Sequence, residues 1–231
     1  MNKTVCAFDI GTKNFCFYIS EFTLSNLLNI SNILDKDRYI IDGTCSTEMS
    51  ELLKQVFCEG KTIFYKNSDL TANCTNKTFD IEILHNMYDL LDTHATYFDT
   101  CDVFLVEQQM NFGKNRNPVA LRLSYYCQAY FTFRYGRFKR VIEFPAYHKT
   151  QILGCPKLSY KTKKGVQKYK AVDKPTRKKW NIEKGYEILE KRGEHTIIET
   201  VKKIKKRDDI LDCCCMIECY KYLLLDKKMS I

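Results

Sequence analysis

Four carboxylates in three separate stretches of the chain stand where chemistry could use them. Asp9 lies within the apolar run VCAFDIGTKNFCFYIS, residues 5–20, just before the glycine turn at Gly11. Glu107 closes the run VFLVE, and Asp209 and Asp212 in KKRDDILD are three residues apart. That spacing sets the last two on one face of a helix. A carboxylate in a buried strand is costly unless something pairs with it. A shared divalent cation is the economical partner, because Mg²⁺ takes oxygen ligands and keeps several waters. Two such ions activate a water and stabilise the leaving oxygen in phosphodiester hydrolysis. Each group also has a plain structural explanation. Asp9 can bond backbone amides in a turn, Glu107 can be a strand-end surface residue, and Asp208 and Asp209 can complement a helix dipole. None of these accounts for Asp212, deeper in an apolar helix.

The elements that must position these groups are readable from pattern. Residues 3–10 and 14–20 are β-branched and aromatic and are separated by Gly11-Thr12-Lys13, which predicts a hairpin. Residues 38–43 predict a third strand, 21–37 are ambiguous, 47–58 predict a helix, and 61–78, rich in Asn, Thr and Lys, a loop. Between Phe79 and Phe98, Ile83, Leu84, Met87, Leu90 and Leu91 recur at helical spacing. His85 and His94 in that helix read as surface or satisfied core histidines. VFLV is a buried-strand run, 118–133 predict a helix with Pro118 in its first turn, and 139–144 predict a strand. Pro145 then opens a short helical segment carrying Lys149. Residues 154–173 read as a basic loop. Asp173 is a helix N-cap candidate for a helix ending near Gly193, and 195–206 and 208–225 predict two more. Strands first, then alternating helix and strand, then helices, fits an α/β sandwich around a mixed sheet. The 231 residues are sufficient for one substantial core, 1–231, or one domain with an insertion.

Charge is segregated. Between Arg134 and Arg207 there are 23 Lys and Arg against 7 Asp and Glu, an excess of 16; the net charge of +9 leaves −7 for the remainder. A segregated basic third is the electrostatic footprint of a polyanion partner. Twelve cysteines, three of them consecutive at 213–215 in an apolar run, read as reduced, buried thiols. No C-x-x-C pairs with another at zinc-finger spacing. No apolar run is long enough to predict a membrane span, and the N-terminus lacks a signal-peptide pattern.

The set FDIGTKN, VEQQM and KKRDDILD resembles the ribonuclease H and retroviral-integrase superfamily, and within it the RuvC-like Holliday junction resolvases of the poxvirus type. The resemblance implies a ribonuclease H-like mixed β-sheet flanked by helices, with Asp9, Glu107, Asp209 and Asp212 as Mg²⁺ ligands, Mn²⁺ substituting. It also implies a role near the scissile phosphate for Lys149, four residues after Pro145 in VIEFPAYHK. The helix beginning KPTRKKW matches the family's DNA-contacting helix in position, which makes Lys174, Arg177, Lys178 and Lys179 DNA contacts. Glu107-Gln108 followed by Lys114-Asn115 is similar to the bacterial form of the central motif. Its aromatic wedge position, three residues after the Glu, is Met110 here, with Phe112 the nearest aromatic and the candidate DNA contact. Asp208, four residues before Asp212, is an alternative to Asp209. Set beside that family, the chain carries extra sequence around 21–37, 45–78 and 154–173, which implies a single domain, 1–231, with an insertion around 45–78. The implied activity is Mg²⁺-dependent, structure-selective nicking of four-way DNA junctions by a homodimer, with no membrane partner, giving 5′-phosphate and 3′-hydroxyl products.

Neighbouring readings remain open at this level. The same carboxylates serve a ribonuclease H-like enzyme acting on RNA or an RNA–DNA hybrid, and a DNA-binding module without catalysis would share the basic third. D-I-G-T-K-N also resembles the first phosphate loop of the actin and sugar-kinase ATPases, but no second Gly-rich loop follows. His148 is an alternative acid or base, and Trp180 either stacks on a base or packs against the sheet. High Lys, Asn, Ile and Tyr usage fits an AT-rich genome such as that of a large DNA virus, and with the thiols it predicts a reducing compartment, host cytoplasm or nucleus.

Overall fold

The computed structural model describes residues 1–72, 74, 80–110 and 117–229. In chain order the elements are β1 (Asn2–Asp9), β2 (Phe15–Thr23), α1 (Leu24–Asn29), α2 (Thr47–Cys58), β3 (Lys61–Ser68), α3 (Ile81–Thr93), α4 (Ala95–Asp99), β4 (Val103–Glu107), α5 (Pro118–Tyr135), β5 (Arg140–Phe144), α6 (Tyr147–Ile152), β6 (Lys157–Lys161), β7 (Gln167–Ala171), α7 (Lys174–Lys191), α8 (His195–Lys202) and α9 (Arg207–Leu225). Five strands form one mixed sheet in the order β3-β2-β1-β4-β5. β1, β2 and β3 pair antiparallel, and β4 and β5 join β1 in parallel. This is the mixed α/β sheet of the ribonuclease H-like class.

Strand alternation sorts the core into two layers. Val5, Ala7, Val103 and Leu105 pack with α2, α7 and α9, whereas Cys6, Phe8, Phe104 and Val106 pack with α3, α4 and α5. The second layer is an aromatic stack in which the rings of Phe104 and Phe131 lie 4.0 Å apart, with Phe8 5.1 Å from Phe131. Carried to the strand ends, the same alternation turns Asp9 and Glu107 toward α9. The parallel register pairs Ala7 with Leu105 and Phe8 with Val106, so one further step sets the two carboxylates on neighbouring strands, on one face.

α9 is apolar nearly all round and is accordingly buried on all sides from Cys213 to Leu225. The consecutive cysteines suit this position because small apolar thiols let neighbours approach from several directions. All twelve cysteines are free. α7 makes the closest approach to α9. A Cβ on Gly185 would stand 2.7 Å from Leu211 Cβ and 2.9 Å from its Cδ2. Gly185→Ala is therefore expected to cost about 1–3 kcal/mol through overpacking, read as a lower urea midpoint at unchanged m-value. An unaltered midpoint would show that the two helices separate freely.

Four readings from sequence are corrected. Lys61–Ser68 is the edge strand β3, not loop: Ile63, Phe64 and Tyr65 favour the ladder, and the lysines at 61 and 66 suit an exposed edge. Residues 38–43 form only an isolated bridge, Tyr39 to Cys45, because Arg38 turns inward to Asp226. The helix expected over 79–98 is broken at His94 into α3 and α4, with His94 Nδ1 2.9 Å from the Leu90 carbonyl. Most of the basic stretch 154–173 is an antiparallel ribbon, β6–β7, closed by a turn with Gly165 at φ +78°. Backbone pairing is indifferent to charge when both faces meet water, and Leu, Tyr and Val supply β propensity.

Among the described residues no helix is long and apolar enough to cross a membrane.

Candidate active site

Lys149 gathers the site. It sits in α6 at 3% exposure, with its ammonium 2.7 Å from Glu107 Oε1 and 3.1 Å from Asp212 Oδ2. The Pro145 turn after β5 is what points α6 toward α9. Asp9 belongs to the same cluster, where it feels the charges of Glu107, Lys149, Asp212 and Asp209. Gly11 keeps the following turn tight, since a Cβ there would lie 2.9 Å from the Asn14 carbonyl oxygen.

Asp209 lies at the margin, where its Oδ2 accepts a hydrogen bond of 3.1 Å from Asn67 Nδ2 on β3. Asp208 is held by Lys178 in a salt bridge. Of the two neighbouring aspartates, Asp208 thus has a dedicated cation, whereas among the described residues Asp209 has an amide donor and no salt bridge.

The electrostatics of the cluster are those of too many carboxylates for one lysine. Burial, and then the Glu107 charge, push the Asp9 carboxyl well above the usual carboxylate range, against the pull of Lys149. Asp212 is raised by burial, with Lys149 opposing. Asp209 is raised by burial and by Asp208. Of the four candidate ligands, Glu107 alone is lowered: burial disfavours its charge, but the Lys149 ammonium and its hydrogen bond outweigh that. Lys149 is itself raised, its burial overcome by Asp212, Glu107 and Asp9.

Among the described residues no three His, Cys, Asp or Glu side chains stand together as a ready metal cage. The Lys149 ammonium bridges Glu107 and Asp212 instead. The donor set nevertheless fits a hard divalent cation. It is all carboxylate oxygen, and Asp9, Asp209 and Asp212 each resist ionisation, through burial first and neighbouring carboxylates next, which a bound divalent cation would offset.

A cleft of about 440 Å³ opens beside the cluster, lined by Glu107, Lys149 and Asp212 and also by Lys157, Lys174, Arg177 and Lys178. α7 delivers three of these cations, and Asp173 caps the helix by accepting from Thr176 N at 2.9 Å. Lys179 is not on the cleft; it is exposed and lies 3.8 Å from Glu183. Trp180 packs partly buried against the α9 layer, with Lys184 Nζ 5.8 Å from its ring. His148 packs its ring on Phe144 and Tyr147. Met110 is 55% exposed, and Phe112, Lys114 and Asn115 lie outside the described residues.

Two polar residues not singled out from the sequence complete the cluster. Asn181 on α7, 6% exposed, donates to Asp212 Oδ1 at 2.6 Å, and Asn67 holds Asp209. Asn181 had a signal: it is the polar member of the buried stripe 181, 185, 188, 189 at helical spacing. Asn67 had none, because its strand read as loop.

The sheet order and the two helical layers define a ribonuclease H-like α/β protein. No family model matches the chain. It is 32% identical to uncharacterized protein 170L of Invertebrate iridescent virus 6 over 233 residues, covering 97% of this chain and 91% of that protein. It is 30% identical to uncharacterized protein 97L of Invertebrate iridescent virus 3, covering 94% of this chain and 98% of that one. The chain belongs to the family that these iridescent virus proteins represent. The Thermus thermophilus RuvC structure matches 97% of this chain and 96% of its own, at 8% identity and a TM-score of 0.51, a likeness of fold.

Proposed function

We propose that this protein is a Mg²⁺-dependent, structure-selective endodeoxyribonuclease that resolves four-way DNA junctions by paired symmetric nicks. The observation that carries the reading is the convergence of Asp9, Glu107 and Asp212 on Lys149, beside a cleft otherwise furnished with cations. Carboxylates crowded beyond their compensation suit metal binding, and adjacent lysines and arginine suit a phosphate backbone. The fold likeness to RuvC supports the same class of reaction.

Asp9, Glu107, Asp209 and Asp212 would hold the divalent cation or cations, Mg²⁺ or Mn²⁺. When bound, such ions supply an activated water and a Lewis acid for the leaving oxygen. Lys149, freed from the carboxylates it now bridges, neutralises charge on the attacked phosphate. Asn181 fixes the orientation of Asp212 through its amide, and Asn67 does the same for Asp209. Lys174, Arg177 and Lys178 position the backbone without reading its sequence, with Lys179 following on the outer face of α7. A junction has two symmetric cleavage points, so a two-fold homodimer sets one site at each.

The test is cleavage of a synthetic four-way junction with Mg²⁺ or Mn²⁺, beside linear duplex, RNA–DNA hybrid and single strands. Paired nicks in the junction alone, leaving 5′-phosphate ends and absent from Asp209→Asn, are expected. Cleavage of the hybrid or of RNA instead would overturn the substrate and retain the site. Tight junction binding with no cleavage in either metal would make the protein a binding module.

A further inference from the structure

The ribbon β6–β7 is exposed along most of both faces, with only Tyr169 half-buried among its strand residues. Every residue of Lys157–Lys161 is exposed, and Leu158, Tyr160 and Val166 are 50%, 41% and 55% exposed. A two-stranded ribbon alone in water is marginal. Among the described residues this one is fastened at its base, where Lys157 N donates to the Asp42 carbonyl at 2.9 Å and Cys155 and Val172 are buried. Five residues per strand carry it roughly 17 Å outward.

Its side chains identify what it meets. Residues 157–172 contain six lysines, no arginine and no acid. None of the six forms a salt bridge among the described residues. The register pairs Leu158 with Lys170 and Tyr160 with Lys168, which sets Lys168 and Lys170 on one face. Lys157 and Lys161 point to the other face, and Lys163 and Lys164 sit at the tip. A ribbon made to lie flat on a charged surface needs cations on one face. Cations on both faces and at the tip suit a ribbon that enters a groove between two rows of phosphates. The DNA major groove, about 12 Å wide, admits a two-stranded ribbon. Lysines are point charges for phosphate, whereas bidentate recognition of guanine favours arginine. At its base, Lys157 and Ala171 line the same cleft as Glu107, Lys149 and Asp212.

We propose that β6–β7 is an arm that enters the major groove of the duplex next to the cleavage point and grips both phosphate backbones without reading sequence. This inference rests on the nuclease reading above. It assigns the arm to duplex DNA, and its contribution is affinity and salt dependence.

The experiment measures binding of the full-length protein to a labelled four-way junction and to linear duplexes of two unrelated sequences, across a range of KCl. Wild type is compared with Lys161→Ala/Lys163→Ala/Lys164→Ala/Lys168→Ala and with the matching four-fold Lys→Arg variant. Loss of four phosphate contacts should lower the magnitude of the slope of log Kd against log salt by about 3 to 4. The loss should be equal on both duplex sequences, and the arginine variant should keep the wild-type slope. Thermal melting of each variant establishes that it is folded. An unchanged slope in the alanine variant, with wild type binding DNA well, overturns the arm and leaves the nuclease reading standing. A loss confined to one sequence overturns the claim that the arm ignores bases. If wild type binds neither junction nor duplex, the nuclease reading falls and the arm with it.

Discussion

Asp9→Asn is expected to lower junction cleavage by a factor on the order of 10³ or more, about 4 kcal/mol of transition-state stabilisation, while leaving the fold at least as stable as wild type. The two effects have one cause. Asp9 is raised by burial and by the charges of Glu107, Asp212 and Asp209, so its ionised form opposes the fold. An uncharged isostere removes that opposition. The same substitution takes away an anionic oxygen ligand, which a divalent cation needs and an amide replaces poorly. Sites shaped for function commonly carry such a stability cost. The check pairs single-turnover nicking in Mg²⁺ with thermal melting in EDTA. Cleavage at the wild-type rate would remove Asp9 from the metal set. A large drop in melting temperature would show that the carboxylate is a structural pair of Lys149.

Much of this arrangement was legible because it follows from local periodicity. The alternation in VCAFD and VFLVE is enough to turn Asp9 and Glu107 to one face, and the i,i+3 spacing of Asp209 and Asp212 needs only a helix. Parallel pairing of β1 with β4 is a long-range fact, but both strands are apolar runs of the kind a covered sheet requires. Apart from Asn181, what escaped notice lacked a local signal. β3 carries lysines and asparagine because it is an edge strand, so its composition imitates a loop, and Asn67 went unnoticed with it. The ribbon β6–β7 escaped for the related reason that a strand with no buried face has no hydrophobic alternation to betray it. The role of Asp208 was ambiguous because its partner, Lys178, is thirty residues away and on another helix.

The largest expected effect on stability lies far from the cleft. Glu218, Arg192 and Lys221 form a triad with every side chain wholly buried. Glu218 Oε1 receives both cations, and among the described residues Oε2 has no hydrogen-bond partner. Arg192 also donates to Tyr18 OH at 2.9 Å and to the Phe57 carbonyl at 3.3 Å. Room for its guanidinium exists only because residue 60 is glycine, where a Cβ would stand 2.6 Å from Nε. Lys221 closes the last turn of α2 by donating to the carbonyls of Val56 at 2.8 Å and Glu59 at 3.1 Å. The triad thereby ties α2, β2, α7 and α9 together. Glu218→Gln leaves the buried Lys221 ammonium without an anion and Arg192 with only the longer pair to Glu194, at 3.7 Å. Its expected cost is about 3–5 kcal/mol, measured by urea unfolding at pH 7. A cost below about 1 kcal/mol would mean that water reaches the triad.

Lys221→Met separates charge from packing in the same site. Burial pushes the Lys221 ammonium down to about 8, with Glu218 opposing. Its unfolded value is about 10.4. Below pH 8 both states hold the proton and the site adds no slope. Between those values the unfolded chain binds a proton that the folded chain does not, so the wild type gains stability as pH rises. Relative to Lys221→Met it should gain about 3 kcal/mol between pH 7.5 and 10.5. Tyrosine and cysteine titrations common to both proteins cancel in the difference. A wild-type advantage that stays constant across that range would show that Lys221 keeps its proton inside the fold, with Glu218 and the two α2 carbonyls together compensating its burial.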